Sequence, residues 1–456
     1  MKGLKVSLVI MASALITMGL SGMAYAFHTG GVANCDGCHT MHGIYTGGTS
    51  VAGKGPSLLV GTDPSSTCLL CHGGLPTGSA SIGGGPKIMT YPFPTGAAAP
   101  SNFNSGGDFA WLQKTYTVGT GTGATIENGQ THGHNIIAFD FGMQGDTDFP
   151  ATSPGGSFDS TKLGCDSCHD PHGKYRRVGT NQSWTIGTPA TLGASSLPIS
   201  SSGSKGAAPT STTAVGVYRL LAGQGYLQGG VGGTPIAFPG SPIAVATGNG
   251  SSEATAASAT TGAGQFRVAY ANYNGSGATT WGQWCGTCHS AMLSTSAATS
   301  HAHPVDVPLS TRGEDQIYNS YVSTGKTGGS SATSYLSLVP FMESTSDIGV
   351  LATHASSGAT VVTTGPAAND QVSCPTCHRS HATGFKNMMR WNMVGEFITL
   401  ADSAGTGIWP GTDNGASSTY NQGRTELEMR TAYYMRPATY FGPYQRSLCN
   451  KCHAQD

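Results

Sequence analysis

Cys35-Asp36-Gly37-Cys38-His39-Thr40-Met41-His42 is the stretch from which the rest of the chain is read. Two cysteines three positions apart, with histidine directly after the second, form the C-x-x-C-H attachment signature of c-type haem. Cys35 and Cys38 are spaced for two thioether bonds to one macrocycle. His39 then lies under that ring, where its imidazole reaches the iron from one face. His42 is held on the same side and is free to bind the iron of a different haem.

The pattern recurs as Cys68-Leu69-Leu70-Cys71-His72, Cys165-Asp166-Ser167-Cys168-His169 and Cys285-Gly286-Thr287-Cys288-His289. Cys374-Pro375-Thr376-Cys377-His378 and Cys449-Asn450-Lys451-Cys452-His453 complete the set. The six motifs use all twelve cysteines, so no thiol is left for a disulfide. Paired C-x-x-C units also build zinc sites, but zinc gives no reason for a histidine after every second cysteine. Six covalent c-type haems are therefore expected, each with a proximal ligand from His39, His72, His169, His289, His378 or His453.

The opposite iron face decides what kind of haem protein this is. Of fifteen histidines, nine lie outside the proximal set: His28, His42, His132, His134, His172, His301, His303, His354 and His381. Six irons need six of them to be fully bis-histidine. His42, His172 and His381 each follow a proximal histidine by three residues. His132 and His134 compete for one role, as do His301 and His303, and residues two apart share a face of extended backbone, so spacing does not choose. Iron ligated by two imidazoles has no open position, and without methionine its potential stays low. Electron transfer rather than catalysis is the expectation, with no catalytic residues. The fourteen methionines read as packing against haem edges.

Residues 1–26 read as a secretory signal: Lys2 and Lys5, an apolar run from Val6 to Leu20, then Ala24-Tyr25-Ala26 as a small-x-small cleavage site. The mature chain would start at Phe27 and hold 430 residues, the 456 of the whole less these 26. It would carry no membrane span, and its 20 basic and 23 acidic side chains give a formal −3. With no basic stripe, nucleic acid is excluded as a partner. Export fits the cysteines, because bacterial c-type haem is attached outside the cytoplasm. At about 72 residues per haem (430 over six), residues 27–456 are expected to form one domain wrapped around its haems.

Regular structure is expected to be sparse: mostly irregular coil with a few short helices and strands. Gly107–Val118 reads as a strand or turn, Glu314–Ser323 as a short helix, and Arg424–Met435 as a helix stopped by Pro437. Glu426 and Arg430 would pair along that last helix. Pro189–Ala214 and Ala246–Gly264, rich in Ala, Gly, Ser and Thr, read as surface loops. The only repeat evident in the sequence is C-x-x-C-H, extended to C-x-x-C-H-x-x-H in three cases.

A resemblance carries the reading further. It rests on Phe27-His28-Thr29-Gly30-Gly31, the motif at 35–42, the run Gly107–Thr117, Gly133-His134-Asn135-Ile136 and Cys168–Arg177. It continues through Val217-Tyr218-Arg219-Leu220, Tyr335-Leu336-Ser337-Leu338, Cys377–His381 and Tyr444–His453. In these stretches the chain resembles the OmcS-type hexahaem outer-surface c-type cytochromes, which polymerise into nanowire filaments. The loops around 188–214 and 246–264 depart from the family pattern.

The resemblance implies His28, His42, His134, His172, His303, His354 and His381 as the distal set, one more than six irons need. It also implies that His42 leaves its own subunit and binds the haem held by Cys374, Cys377 and His378 in the next. Implied partners are further copies of the chain, other multihaem cytochromes, and extracellular metal oxides or electrodes. The implied location is the cell surface or a secreted filament, reached through the periplasm. Two other readings share the motifs: a monomeric periplasmic shuttle, and a multihaem reductase, which would be signalled by a C-x-x-C-K motif that the sequence lacks.

Overall fold

The computed structural model describes residues 35–40, 44–46, 49–51, 56–73, 86–147, 151–172, 176–180, 183–187, 215–216, 220–246, 253–254, 266–272, 279–293, 303–332, 339–355 and 365–453. The signal segment, His28, His42, His301 and most of the two Ala/Gly/Ser/Thr-rich loops lie outside them.

Helices among these residues are short and are placed where the motifs need them. They are α1 (Cys35–Cys38), α2 (Pro64–His72), α3 (Trp281–Gly286), α4 (Glu314–Ser320), α5 (Ile348–Ala355), α6 (Cys374–Cys377), α7 (Ser418–Asn421), α8 (Glu426–Ala432) and α9 (Asn450–His453). Four of them carry the first, second, fifth and sixth motifs, α3 ends within the fourth, and Cys165–Ser167 of the third forms a 3₁₀ turn. One helical turn brings residues i and i+3 to the same side, which turns two thiols toward one macrocycle.

The starts of these helices are built from local chemistry. Before α2, the Asp63 carboxylate accepts from Ser66 N at 2.7 Å, and Pro64 supplies a first turn that needs no N–H. Thr280 and Gln283 close a capping box at α3, and Thr425 and Glu428 close one at α8.

Strands are two to five residues long. β1 (Tyr116–Val118) and β2 (Thr125–Glu127) form an antiparallel pair, with Thr117 opposite Ile126. β3 (Ile243–Val245) pairs antiparallel with β4 (Ala269–Ala271), which runs parallel to β5 (Met342–Glu343). The molecule is mostly coil, as its composition implied. No helix of the described residues is long and apolar enough to cross a membrane.

The two largest apolar clusters of the described residues both end at motif cysteines. The larger contains Trp409 stacked on Tyr433, with ring centres 4.1 Å apart and planes 8° from parallel, together with Trp111, Phe441 and Leu69. Cys165, Cys377 and Cys449 lie at its edge. The second joins Trp281, Trp284, Phe238 and Tyr270, with Cys168 and Cys285 at its edge. Full burial of such side chains stabilises by roughly 1.5–3 kcal/mol each.

Two buried arginines are paired with buried carboxylates. Arg379 donates to Glu253 at 2.9 Å, and Arg424 pairs with Glu127. Pairing matters because an uncompensated buried charge is strongly destabilising.

Three sequence expectations shift in detail. Gly107–Val118 divides into a 3₁₀ helix over Phe109–Gln113 and the strand β1. The helix expected over Glu314–Ser323 ends at Ser320. The one expected over Arg424–Met435 is Glu426–Ala432, because Tyr434 and Met435 both have φ of 57°, which breaks the helix before Pro437. The ion pairs described do not include Glu426 with Arg430.

Candidate haem sites

Four of the six proximal histidines share a hydrogen-bonding habit that sets their tautomer. His39 donates Nδ1–H to Ser57 O at 2.9 Å, and His72 to Pro86 O at 3.0 Å. His289 donates to Pro154 O at 2.8 Å, and His378 to Asn387 O at 2.9 Å. A carbonyl only accepts, so Nδ1 holds the proton and Nε2 keeps the lone pair that binds metal. Three distal candidates do the same: His134 to Ser380 O (2.6 Å), His303 to Pro304 O (2.9 Å) and His381 to Gly107 O (3.3 Å).

The distances between rings test whether these side chains fit haem. A metal–imidazole bond of about 2 Å, plus roughly 1.1 Å from nitrogen to ring centre, doubled across one iron, separates two axial ring centres by about 6.2 Å. His39 and His172 are 6.1 Å apart, and His134 and His289 are also 6.1 Å apart. His303 and His453 stand at 6.2 Å, and His169 and His381 at 6.4 Å. Each pair joins one proximal histidine to one distal candidate. The donor set and its spacing therefore fit bis-histidine iron at the first, third, fourth and sixth motifs. At the fourth, burial first and then the neighbouring His289 charge push His134 down to about 4, which keeps it in the neutral form a metal binds.

The pairing hides a period of two motifs. His172 of the third motif faces His39 of the first, and His381 of the fifth faces His169 of the third. Between motifs, His134 (after the second) faces His289 of the fourth, and His303 (after the fourth) faces His453 of the sixth.

The backbone repeats with the same period. After the first motif, Thr40 N donates to Leu58 O and Val60 N to Cys38 O. After the third, Asp170 N donates to Leu220 O and Ala222 N to Cys168 O. After the fifth, Arg379 N donates to Met388 O and Arg390 N to Cys377 O. Leu58, Leu220 and Met388 take matching left-handed φ values of 61°, 54° and 59°. C-x-x-C-H was the visible repeat; the structural unit is twice as long.

Sulfur neighbours give the spatial order of the motifs. Cys68 lies beside Cys165, and Cys285 beside Cys374. Cys38 lies close enough to Cys68, Cys288 to Cys168, and Cys449 and Cys452 to Cys377 for their charges to interact. The six motifs follow one another in space as they do in sequence.

The remaining histidines are placed differently. His132 is fully buried, with Nδ1 on Trp111 O at 3.1 Å and Nε2 on Glu127 at 2.7 Å, so neither nitrogen is left for iron. His354 holds Nδ1 on the buried Glu343 carboxylate at 2.6 Å and is half exposed. Among the described ring pairs it does not face a proximal histidine. Nor does any imidazole of the described residues stand opposite His378. His28, His42 and His301 lie outside the described residues.

Sequence reading missed the residues that aim His381. Phe109 stacks on its ring at 4.6 Å, and Gly106 leaves space where a Cβ would touch it. Gly106 O accepts from His381 N at 2.6 Å, and His381 O accepts from His134 N at 2.9 Å. These two distal candidates brace each other. Only the two glycines at 106–107 marked the place, and their partner lies more than 270 residues away.

No family model matches the chain. It is 42% identical, over 466 aligned positions spanning all of both chains, to C-type cytochrome OmcS of Geobacter sulfurreducens. It is also similar to a solved cryo-EM structure of OmcS nanowires from Geobacter sulfurreducens, with a TM-score of 0.77, 40% identity, and coverage of 94% of this chain and all of that one. A second solved structure, an outer membrane cytochrome S filament from the same organism, gives 0.75, 39% and the same coverage.

Proposed function

This chain belongs to the OmcS-type c-type cytochromes, and from that premise we propose that it conducts electrons out of the cell as a head-to-tail extracellular filament. Residues 1–26 direct export, and residues 27–456 wrap six covalently attached haems as one domain. When bound, haem c supplies an iron that gains and loses one electron without changing its ligands. The protein anchors it through two cysteines, orients axial imidazoles by Nδ1 hydrogen bonds such as those of His134 and His289, and screens it with apolar clusters. With both axial positions filled, the chain is a conductor and not an enzyme. Electrons pass from other multihaem cytochromes toward ferric oxides, electrodes or similar acceptors.

The observation that carries this reading is the two-motif step. Stepping back two motifs takes His381 to the third and His172 to the first. His42 occupies the same place in the first motif, and the same step runs off the chain. It lands on the fifth motif of an adjoining copy, at His378, which no described imidazole faces. The same rule for the between-motif histidines gives His28 to His72 and leaves His354 as the spare. A head-to-tail contact that does not close generates an open filament. The polymer is then the internal repeat continued from one chain to the next.

The test is His42→Ala. It should give a folded six-haem protein that polymerises poorly and binds one carbon monoxide per chain. Normal filaments with six carbon-monoxide-inert haems would return the monomeric shuttle to first place. Stoichiometric carbon monoxide binding by the unaltered filament would instead favour a reductase.

A further inference from the structure

The four axial pairs differ in one respect that the ring distances do not show. Their planes cross at 18° for His39 with His172, 25° for His134 with His289, 56° for His169 with His381, and 79° for His303 with His453. Each imidazole donates π density into the iron d orbital perpendicular to its own plane. Two parallel rings raise the same orbital and split the dxz/dyz pair. Two crossed rings raise both, and the pair stays nearly degenerate. In low-spin ferric iron the hole sits in that pair, so splitting stabilises the oxidised state and crossing withholds that stabilisation.

What holds His303 across His453 is local. His134 donates to a carbonyl 246 residues away, whereas His303 donates to that of its own neighbour, Pro304. Proline fixes its backbone φ and narrows the directions in which its carbonyl can point.

We propose that the Pro304 carbonyl, by turning His303 across His453, makes the sixth haem site electronically distinct from the first and fourth, with the higher reduction potential. This rests on the bis-histidine reading above. It makes Pro304 a positioning residue and the C-terminal motif a place where an electron rests longer than at the first or fourth. That motif lies at one end of the chain's haem order, beside the fifth motif that His42 of an adjoining copy reaches.

The experiment is low-temperature electron paramagnetic resonance of intact, fully oxidised filaments, poised at stepped potentials. Near-parallel pairs give three-line rhombic spectra, and a crossed pair gives a single strongly anisotropic low-field feature. Both classes should appear, and the anisotropic one should vanish first as the potential is lowered. His303→Ala should remove one haem's share of it while the rhombic signals persist. Pro304→Gly keeps the carbonyl but frees the backbone; it should shift the feature toward the rhombic class with all six haems still low-spin. A purely rhombic wild-type spectrum, an anisotropic feature that is last to reduce, or one undiminished in His303→Ala would overturn the proposal. So would a Pro304→Gly spectrum identical to wild type. A high-spin signal in wild type would instead overturn the bis-histidine reading beneath it.

Discussion

Gly106→Ala tests whether the loop around His381 is built to aim a ligand. A methyl at this position would stand 2.6 Å from His381 Nδ1, 2.7 Å from Cε1 and 2.9 Å from Cγ. Non-bonded carbon and nitrogen need about 3.5 Å, so the ring must retreat by about 0.9 Å. Phe109 stacks on the same ring at 4.6 Å, and Gly106 O is tied to His381 N at 2.6 Å. A metal–imidazole bond of about 2 Å does not stretch that far. Either the backbone shifts or the bond to the third-motif iron opens. Overpacking of this kind costs about 1–3 kcal/mol. Denaturant unfolding followed by the haem absorption band, with a carbon monoxide difference spectrum on the folded protein, reads both effects. The expected result is a destabilisation of about 2 kcal/mol and one partly carbon-monoxide-reactive haem. Wild-type stability with an unchanged spectrum would show that the contact does not position His381.

His132→Ala should destabilise the fold by about 3 kcal/mol, because it strips a partner from the buried Glu127–Arg424 pair. It should create no carbon-monoxide-reactive haem, since both nitrogens of His132 are already engaged. Acid unfolding should depend on Glu127. Burial alone would raise its carboxyl, but the His132 hydrogen bond and the Arg424 charge outweigh that and hold it at about 2 against an ordinary 4.5. A depressed carboxyl contributes stability above its ordinary value and loses it as pH falls to the native one, so about 3 kcal/mol should disappear between roughly pH 4.5 and 2. Glu127→Gln should remove that dependence; identical acid profiles for the two proteins would count against the pair. Intact mass of the secreted chain should equal residues 27–456 plus six haems, and five or fewer would refute the count.

The attachment chemistry was legible in the sequence because C-x-x-C-H is local: cysteine, cysteine and histidine lie within one helical turn. The sparse regular structure was legible from composition. The distal pairing was not, because His134 and His289, or His169 and His381, meet only through tertiary packing across 155 and 212 residues. The choice of His134 over His132 came from family resemblance, and the structure supplies the physical reason in Glu127 and Trp111, which occupy both nitrogens of His132. One signal was read without its alternation. The C-x-x-C-H-x-x-H extension occurs in the first, third and fifth motifs only, which is the two-motif period written in the chain. The early end of α8 was unreadable because Tyr434 and Met435 are held left-handed by their surroundings, against their own preference.

The junction between subunits is where the account is most exposed. A cryo-EM map of the secreted protein should show filaments in which density runs from the His42 imidazole to the iron beside His378 of the adjoining copy. A map with His42 in solvent or turned toward its own chain, and another ligand on that iron, would contradict it.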